Sequence, residues 1–284
     1  MKPLCSLLLI LSLNAACPGA LHAEAPAYPW LQSDADTKRS IARTIPPPRH
    51  AMRVALPEES FGAWLRGLPL RPKGSRVRLF DGTYKAYQAG QVAVVDMDVG
   101  ERDLQQCADA VIRLRAEYLW AAKAKERIAF KLTNGMRVDW TRWSRGERVA
   151  VSGNETRWRD GGKAATSHRA FRRYLDFIFS YAGSASLQKE LKPQEIAAIE
   201  AGDVLIQGGH PGHAVLVLDV ARDARGHRYV LLGQSYMPAQ DFHVLANPQD
   251  AKLSPWYRAD TLDAGLQTPE WGPFLANDLR RFAD

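Results

Sequence analysis

Three apolar runs dominate the chain: Val204-Leu205-Ile206, Ala214 to Val220, and Arg228 to Ser235 with Tyr229-Val230-Leu231-Leu232 at its centre. Each is short and rich in aliphatic residues, the pattern of a buried β-strand. Asp223-Ala224-Arg225-Gly226 between the last two is a turn sequence that predicts a hairpin. A 3.6-residue period appears instead in Leu104, Cys107, Ala108, Val111, Leu114, Tyr118 and Leu119, the apolar stripe of a helix running to about Lys123. Asp103-Leu104-Gln105-Gln106 reads as a capping box at its start. A second helix is predicted over 167–181, closed by Gly183, and a short one over 61–68 with Ser60 as N-cap. Hairpin signals lie at Asp81-Gly82, between 76–80 and 83–87, and at Asn134-Gly135, between 127–132 and 137–140; an apolar strand is expected over 91–97.

Strands and helices in this mixture make an α+β chain. Met1-Lys2, the apolar run Leu7 to Leu13 and Leu21-His22-Ala23 form a signal peptide over 1–23, so the mature protein is expected to start at Glu24, exported to the periplasm or beyond. Cys17, after Asn14-Ala15-Ala16, offers a rival processing site with a lipid anchor. No later stretch is long and apolar enough for a membrane helix. Residues 24–50 read as an arm carrying Tyr28-Pro29-Trp30-Leu31 and Pro46-Pro47-Pro48, and 51–284 as one domain whose Pro- and Trp-rich C-terminal third wraps the surface.

The net charge of +7 is spread along the chain and reads as a solvated surface; it allows contact with anionic envelope polymers and does not indicate nucleic acid. Of the three cysteines, Cys5 and Cys17 fall within the leader, which leaves Cys107 without a disulfide partner.

Cys107 lies near a predicted helix start, where unpaired N–H groups favour a thiolate and an oxyanion. His213 opens a buried strand after Gly208-Gly209-His210-Pro211-Gly212, a loop with room for a substrate. Hairpin pairing puts His213 opposite Tyr236 and close to Gln234, a polar residue in an apolar strand that would orient the imidazole. Asp219, His243 and Asp241 are lesser candidates for that role. The rival readings are a packed inert thiol, a satisfied histidine beside a turn and a glutamine bound to backbone or water. His210-x-x-His213 with His243 or Asp241 is the one metal-site candidate, and no HExxH or paired-cysteine motif supports it. No Walker or Rossmann loop is present, so no cofactor is implied. Trp140, Trp143 and Trp158 read as core or as a sugar-stacking surface.

Two resemblances follow. Ile199 to Ile206 with Gly212-His213-Ala214-Val215-Leu216-Val217 resembles the Gly-Asp and Gly-His-Val strand pair of NlpC-type and CHAP-type amidases. These are papain-like enzymes that cut peptide or amide bonds in cell-wall peptidoglycan. The resemblance implies an antiparallel sheet, a nucleophile-bearing helix and the order Cys107, His213, Gln234. Gln106-Cys107-Ala108-Asp109 departs from the Asp-Cys-Ser-Gly usual around the nucleophile, and the Cys-to-His spacing is longer. Nearly the whole mature chain resembles the bacterial domain of unknown function 4846, through Ser60-Phe61-Gly62-Ala63-Trp64-Leu65, 103–110, Gly233-Gln234-Ser235-Tyr236-Met237-Pro238-Ala239-Gln240 and Ser254-Pro255-Trp256-Tyr257. That family implies no activity. The readings carried forward are a cysteine hydrolase acting on peptide or peptidoglycan-like substrates, a catalytically silent envelope-binding protein of the same fold and, less favoured, a metal hydrolase.

Overall fold

The computed structural model describes residues 28–31 and 39–283. The expected signal peptide, residues 1–23, and Cys17 lie outside them. In chain order come α1 (Ile41–Thr44), β1 (Ala51–Arg53), α2 (Phe61–Arg66), β2 (Gln91–Val94), α3 (Cys107–Ala121), β3 (Ala129–Lys131), β4 (Arg137–Asp139) and α4 (Trp140–Ser144). Next are β5 (Glu147–Ser152), β6 (Glu155–Asp160), α5 (His168–Tyr181), α6 (Ser184–Glu190), β7 (Lys192–Pro193) and β8 (Val204–Gln207). The chain ends with β9 (His213–Asp223), β10 (Arg228–Gln234), β11 (His243–Leu245), β12 (Trp256–Arg258) and β13 (Leu279–Arg281). The fold is mixed α and β, and the strand pairings described are antiparallel.

β9 organises the main sheet, which has nine strands among the described residues. On one edge β9 pairs with β8 near its start and with β1 near its end; on the other it pairs with β10. β10 in turn carries β11 and β12. Both faces are covered. Ala214, Leu216 and Leu218 join the core containing α3 and α5, whereas Val215, Val217 and Val220 pack with Tyr257, Leu262, Leu266 and Phe274 on the opposite side. A strand covered twice needs apolar residues at successive positions, which accounts for its near-continuous aliphatic run.

The first turn of α3 differs from expectation. The helix begins at Cys107 with Gln106 as N-cap, so Asp103 does not cap it. Asp103 Oδ1 accepts instead from the Ala239 amide at 2.6 Å and from Gln106 Nε2 at 3.0 Å, fastening the approach to α3 onto the segment after β10. Asp109 Oδ2 accepts from the Gln106 amide at 3.1 Å and supplies the N-terminal satisfaction that Asp103 was expected to give. Cys107 therefore stands at the first helical position.

Ser60 caps α2 by accepting from Ala63 N–H, and Ser167 caps α5 by accepting from Ala170 N–H. The 76–87 hairpin is reduced to a bridge between Arg78 and Tyr84. β5 and β6 form an additional hairpin, turned at Gly153 with φ +58°. Part of the arm is core: Tyr28, Ile41 and Ile45 are buried. The C-terminal third likewise supplies β11, β12 and β13 to that sheet as well as covering it.

One polar residue ties these layers together. Asp219 on β9 is fully buried; its Oδ2 accepts from Arg53 Nε at 2.6 Å, while its Oδ1 accepts from Arg66 Nε and the Val220 amide. Asp219→Ala leaves two partly buried guanidinium groups without their carboxylate, a loss expected to cost about 3–5 kcal/mol. Urea denaturation of the variant checks this; a change under about 1 kcal/mol would show that the pairs do not hold β1 and α2 to the sheet.

Candidate active site

Cys107 is buried at the start of α3. Its sulfur lies where the amides of Ala214, Ala108 and Cys107 itself favour the thiolate. The β9–β10 ladder ends at Gly233 and Leu216, so Cys107 meets β9 beyond the last paired position. Burial outweighs the amides: it pushes the thiol up to about 11, with the Asp109 carboxylate adding to the rise. This corrects the expectation that a helix start lowers the thiol pKa. The dipole effect is a fraction of a charge near exposed N–H groups, and removing the sulfur from water opposes it more strongly. Asp109 is itself held well above the usual carboxylate range by burial.

His213 and Gln234 come together. His213 Nε2 lies 2.8 Å from Gln234 Oε1, and both residues are buried. Gln234 Nε2 donates to Glu270 Oε2 at 3.0 Å, and the same oxygen accepts from Lys85 Nζ at 2.5 Å. The carboxylate only accepts, so the Gln234 NH2 must face Glu270 and its oxygen must face His213. His213 Nε2 is then the protonated nitrogen, and Nδ1 carries the lone pair of a base. The ring packs against Tyr236, Trp271 and Phe274, with centroids 5.0, 5.2 and 6.3 Å away. Burial lowers its pKa to about 4, aided by the Lys85 charge and opposed by Gln234.

The third predicted residue, Cys107, is not among the groups that touch the His213 ring. Strand alternation sends Ala214 to the face carrying α3 and His213 to the face carrying Phe274. Among the described residues no hydrogen bond joins the Cys107 sulfur to the His213 ring.

The other orienting candidates are engaged elsewhere. Asp219 belongs to the arginine pairs above. Asp241 Oδ2 accepts from Arg71 Nη1 and from the Arg78 amide at 2.7 and 2.8 Å. His243 donates from Nδ1 to its neighbour's carbonyl, Asp241 O, at 2.9 Å; its Nε2 has no partner. Glu270, Lys85 and Trp271 escaped the sequence reading because they lie far from His213 along the chain and carry no motif. Trp140 and Trp143 are buried in an aromatic cluster with Phe171 and Tyr174, which makes them core.

His210 is exposed on its loop, and among the described residues no group of three or more His, Cys, Asp or Glu side chains is arranged to hold a metal ion. A groove of about 900 Å³ lies elsewhere, between Pro193–Ala197, Arg222, Arg228, Asp260 and Arg280, and includes none of the three predicted site residues.

The two buried histidines give the fold a pH dependence. His213 titrates at about 4 and His243 at about 3, against 6.5 for an unburied ring. Below pH 6.5 the unfolded chain binds protons that the folded chain refuses, so their contribution to stability is present above that pH and is lost as pH falls towards 4. The slope is on the order of 1 kcal/mol per pH unit for each proton. Denaturant melts between pH 4 and 7 are expected to show this decline, flattened in His213→Gln and in His243→Leu; an unchanged slope in both variants would contradict it.

The matching family model, Domain of unknown function (4846), spans residues 41–281. No curated protein and no solved structure matches the chain. Because the match takes in α1 through β13, with the cysteine, the histidine and the glutamine inside it, the chain belongs to the family described as Domain of unknown function (4846).

Proposed function

We propose that the protein is a papain-like cysteine hydrolase of peptide or amide bonds, exported and directed at substrates such as peptidoglycan. The observation that carries this reading is the His213–Gln234 hydrogen bond, which leaves Nδ1 as the basic nitrogen on a strand whose next amide meets a cysteine at a helix start. A nucleophile, a base and a group orienting the base are the parts that acyl transfer needs.

In this reading Nδ1 takes the proton from Cys107 Sγ as the sulfur attacks the scissile carbonyl carbon. The first residues of β9 send the two side chains to different faces, so this reading requires substrate binding to bring them round that strand start to hydrogen-bond distance. The Cys107 and Ala108 amides, already near the sulfur, stabilise the oxyanion. The protonated ring then gives its proton to the leaving amine as the C–N bond breaks. Water, deprotonated by the same nitrogen, releases the acid and restores the thiol. The exposed segments 208–211 and 237–238, adjoining His213 and Tyr236, provide the approach.

The silent envelope-binding protein remains the second reading, and one observation favours it: Cys107 and His213 are only 7% and 1% exposed, and both are neutral at pH 7. The discriminating experiment is hydrolysis of peptidoglycan fragments and peptide amides by the wild type, Cys107→Ala and His213→Gln. Activity lost by about 10³-fold or more in both variants, with folding retained, supports the hydrolase. Labelling of Cys107 by a peptidyl chloromethyl ketone, with iodoacetamide reacting slowly at pH 7, is expected alongside it. Hydrolysis that survives Cys107→Ala, or a thiol that labels only after unfolding, would overturn the proposal in favour of binding.

A further inference from the structure

We infer that Glu270, held by Lys85, is a positioning residue that sets the tautomer of His213 through the Gln234 amide. The catalytic consequence rests on the hydrolase reading; the tautomer does not.

An amide side chain has two ends of nearly equal shape, and packing alone does not choose between them. If Gln234 presented its NH2 to His213, the ring would have to accept at Nε2 and carry its proton on Nδ1. It would then have no basic nitrogen for a thiol. The carboxylate of Glu270 removes that alternative because it accepts from Gln234 Nε2 and has no proton to offer. Lys85 pairs with that carboxylate: the two side chains are 8% and 13% exposed and 2.5 Å apart. Burial lowers the lysine pKa, and Glu270 opposes that fall through hydrogen bonding and charge. Tyr236 adds a further tie, donating from its hydroxyl to the Glu270 carbonyl at 3.2 Å while its ring packs on His213. The arrangement runs from cation to carboxylate to amide to imidazole, and each member has one orientation compatible with its neighbours.

Both bonds to Glu270 end on the same oxygen, Oε2. A single amide oxygen can replace it, so Glu270→Gln is expected to keep the arrangement. Glu270→Leu removes the acceptor and leaves Lys85 facing Gln234. The lysine then attracts the amide oxygen and turns the NH2 towards His213.

The test is ¹⁵N NMR of the histidine side chains of the full chain at pH 7, where His213 is neutral, with the signal assigned through His213→Gln. Wild type and Glu270→Gln are expected to show Nε2 protonated and Nδ1 bare. Glu270→Leu is expected to shift the ring to the Nδ1-protonated form and to lower the rate of substrate turnover by about 10²-fold or more, with KM little changed. If Glu270→Leu does not fold, Lys85→Met/Glu270→Leu removes the stranded charge and is expected to show both tautomers. A pure Nε2-protonated ring in whichever apolar variant folds overturns the inference. The two proposals fail separately: a tautomer shift in a protein without hydrolysis removes only the enzyme, and Cys107-dependent hydrolysis with an unmoved tautomer removes only the positioning role.

Discussion

Burial of β9 on both faces is the constraint from which the rest of the structure follows. Over residues 213–221 such enclosure excludes water from the side chains, so each polar group there needs a partner supplied by another part of the chain. β9 carries two such groups at its buried positions, His213 and Asp219. Asp219 draws in Arg53 from β1 and Arg66 from the end of α2, and so docks the N-terminal elements. His213 draws in Gln234 from β10, which in turn engages Glu270 from the C-terminal third and Lys85 from the segment before β2. The same requirement thus assembles both ends of the chain around one strand.

The electrostatics of the candidate site show desolvation prevailing over dipoles. Helix-start amides and the Ala214 amide would each favour a thiolate in open solvent. In the buried setting the thiol is raised to about 11 and the imidazole lowered to about 4, which leaves both groups neutral. The proton then stays on the sulfur, and the ring keeps a free lone pair on one nitrogen. This neutral state differs from the resting ion pair of an exposed helix-start cysteine, and the cause is depth rather than the identity of the residues.

The hydrophobic pattern of the sequence determined the strands β8, β9 and β10, their hairpin turn, the α3 and α5 helices and the serine caps of α2 and α5. These are local properties: periodicity, turn residues and side chains bonding amides three positions away. The closeness of His213 to Gln234 was legible for the same reason, because a hairpin turn sets which residues of two adjoining strands stand side by side. Tertiary structure alone decided the features that depend on distant segments. Asp103 looked like a cap, but the Ala239 amide, brought up by the chain after β10, takes its carboxylate and moves the helix start to Cys107. Glu270 and Lys85 are ordinary charged residues until folding buries them side by side against Gln234. The direction of the Cys107 shift was unreadable too, since it depends on how much water the folded chain removes from the sulfur, and no residue type or spacing encodes that.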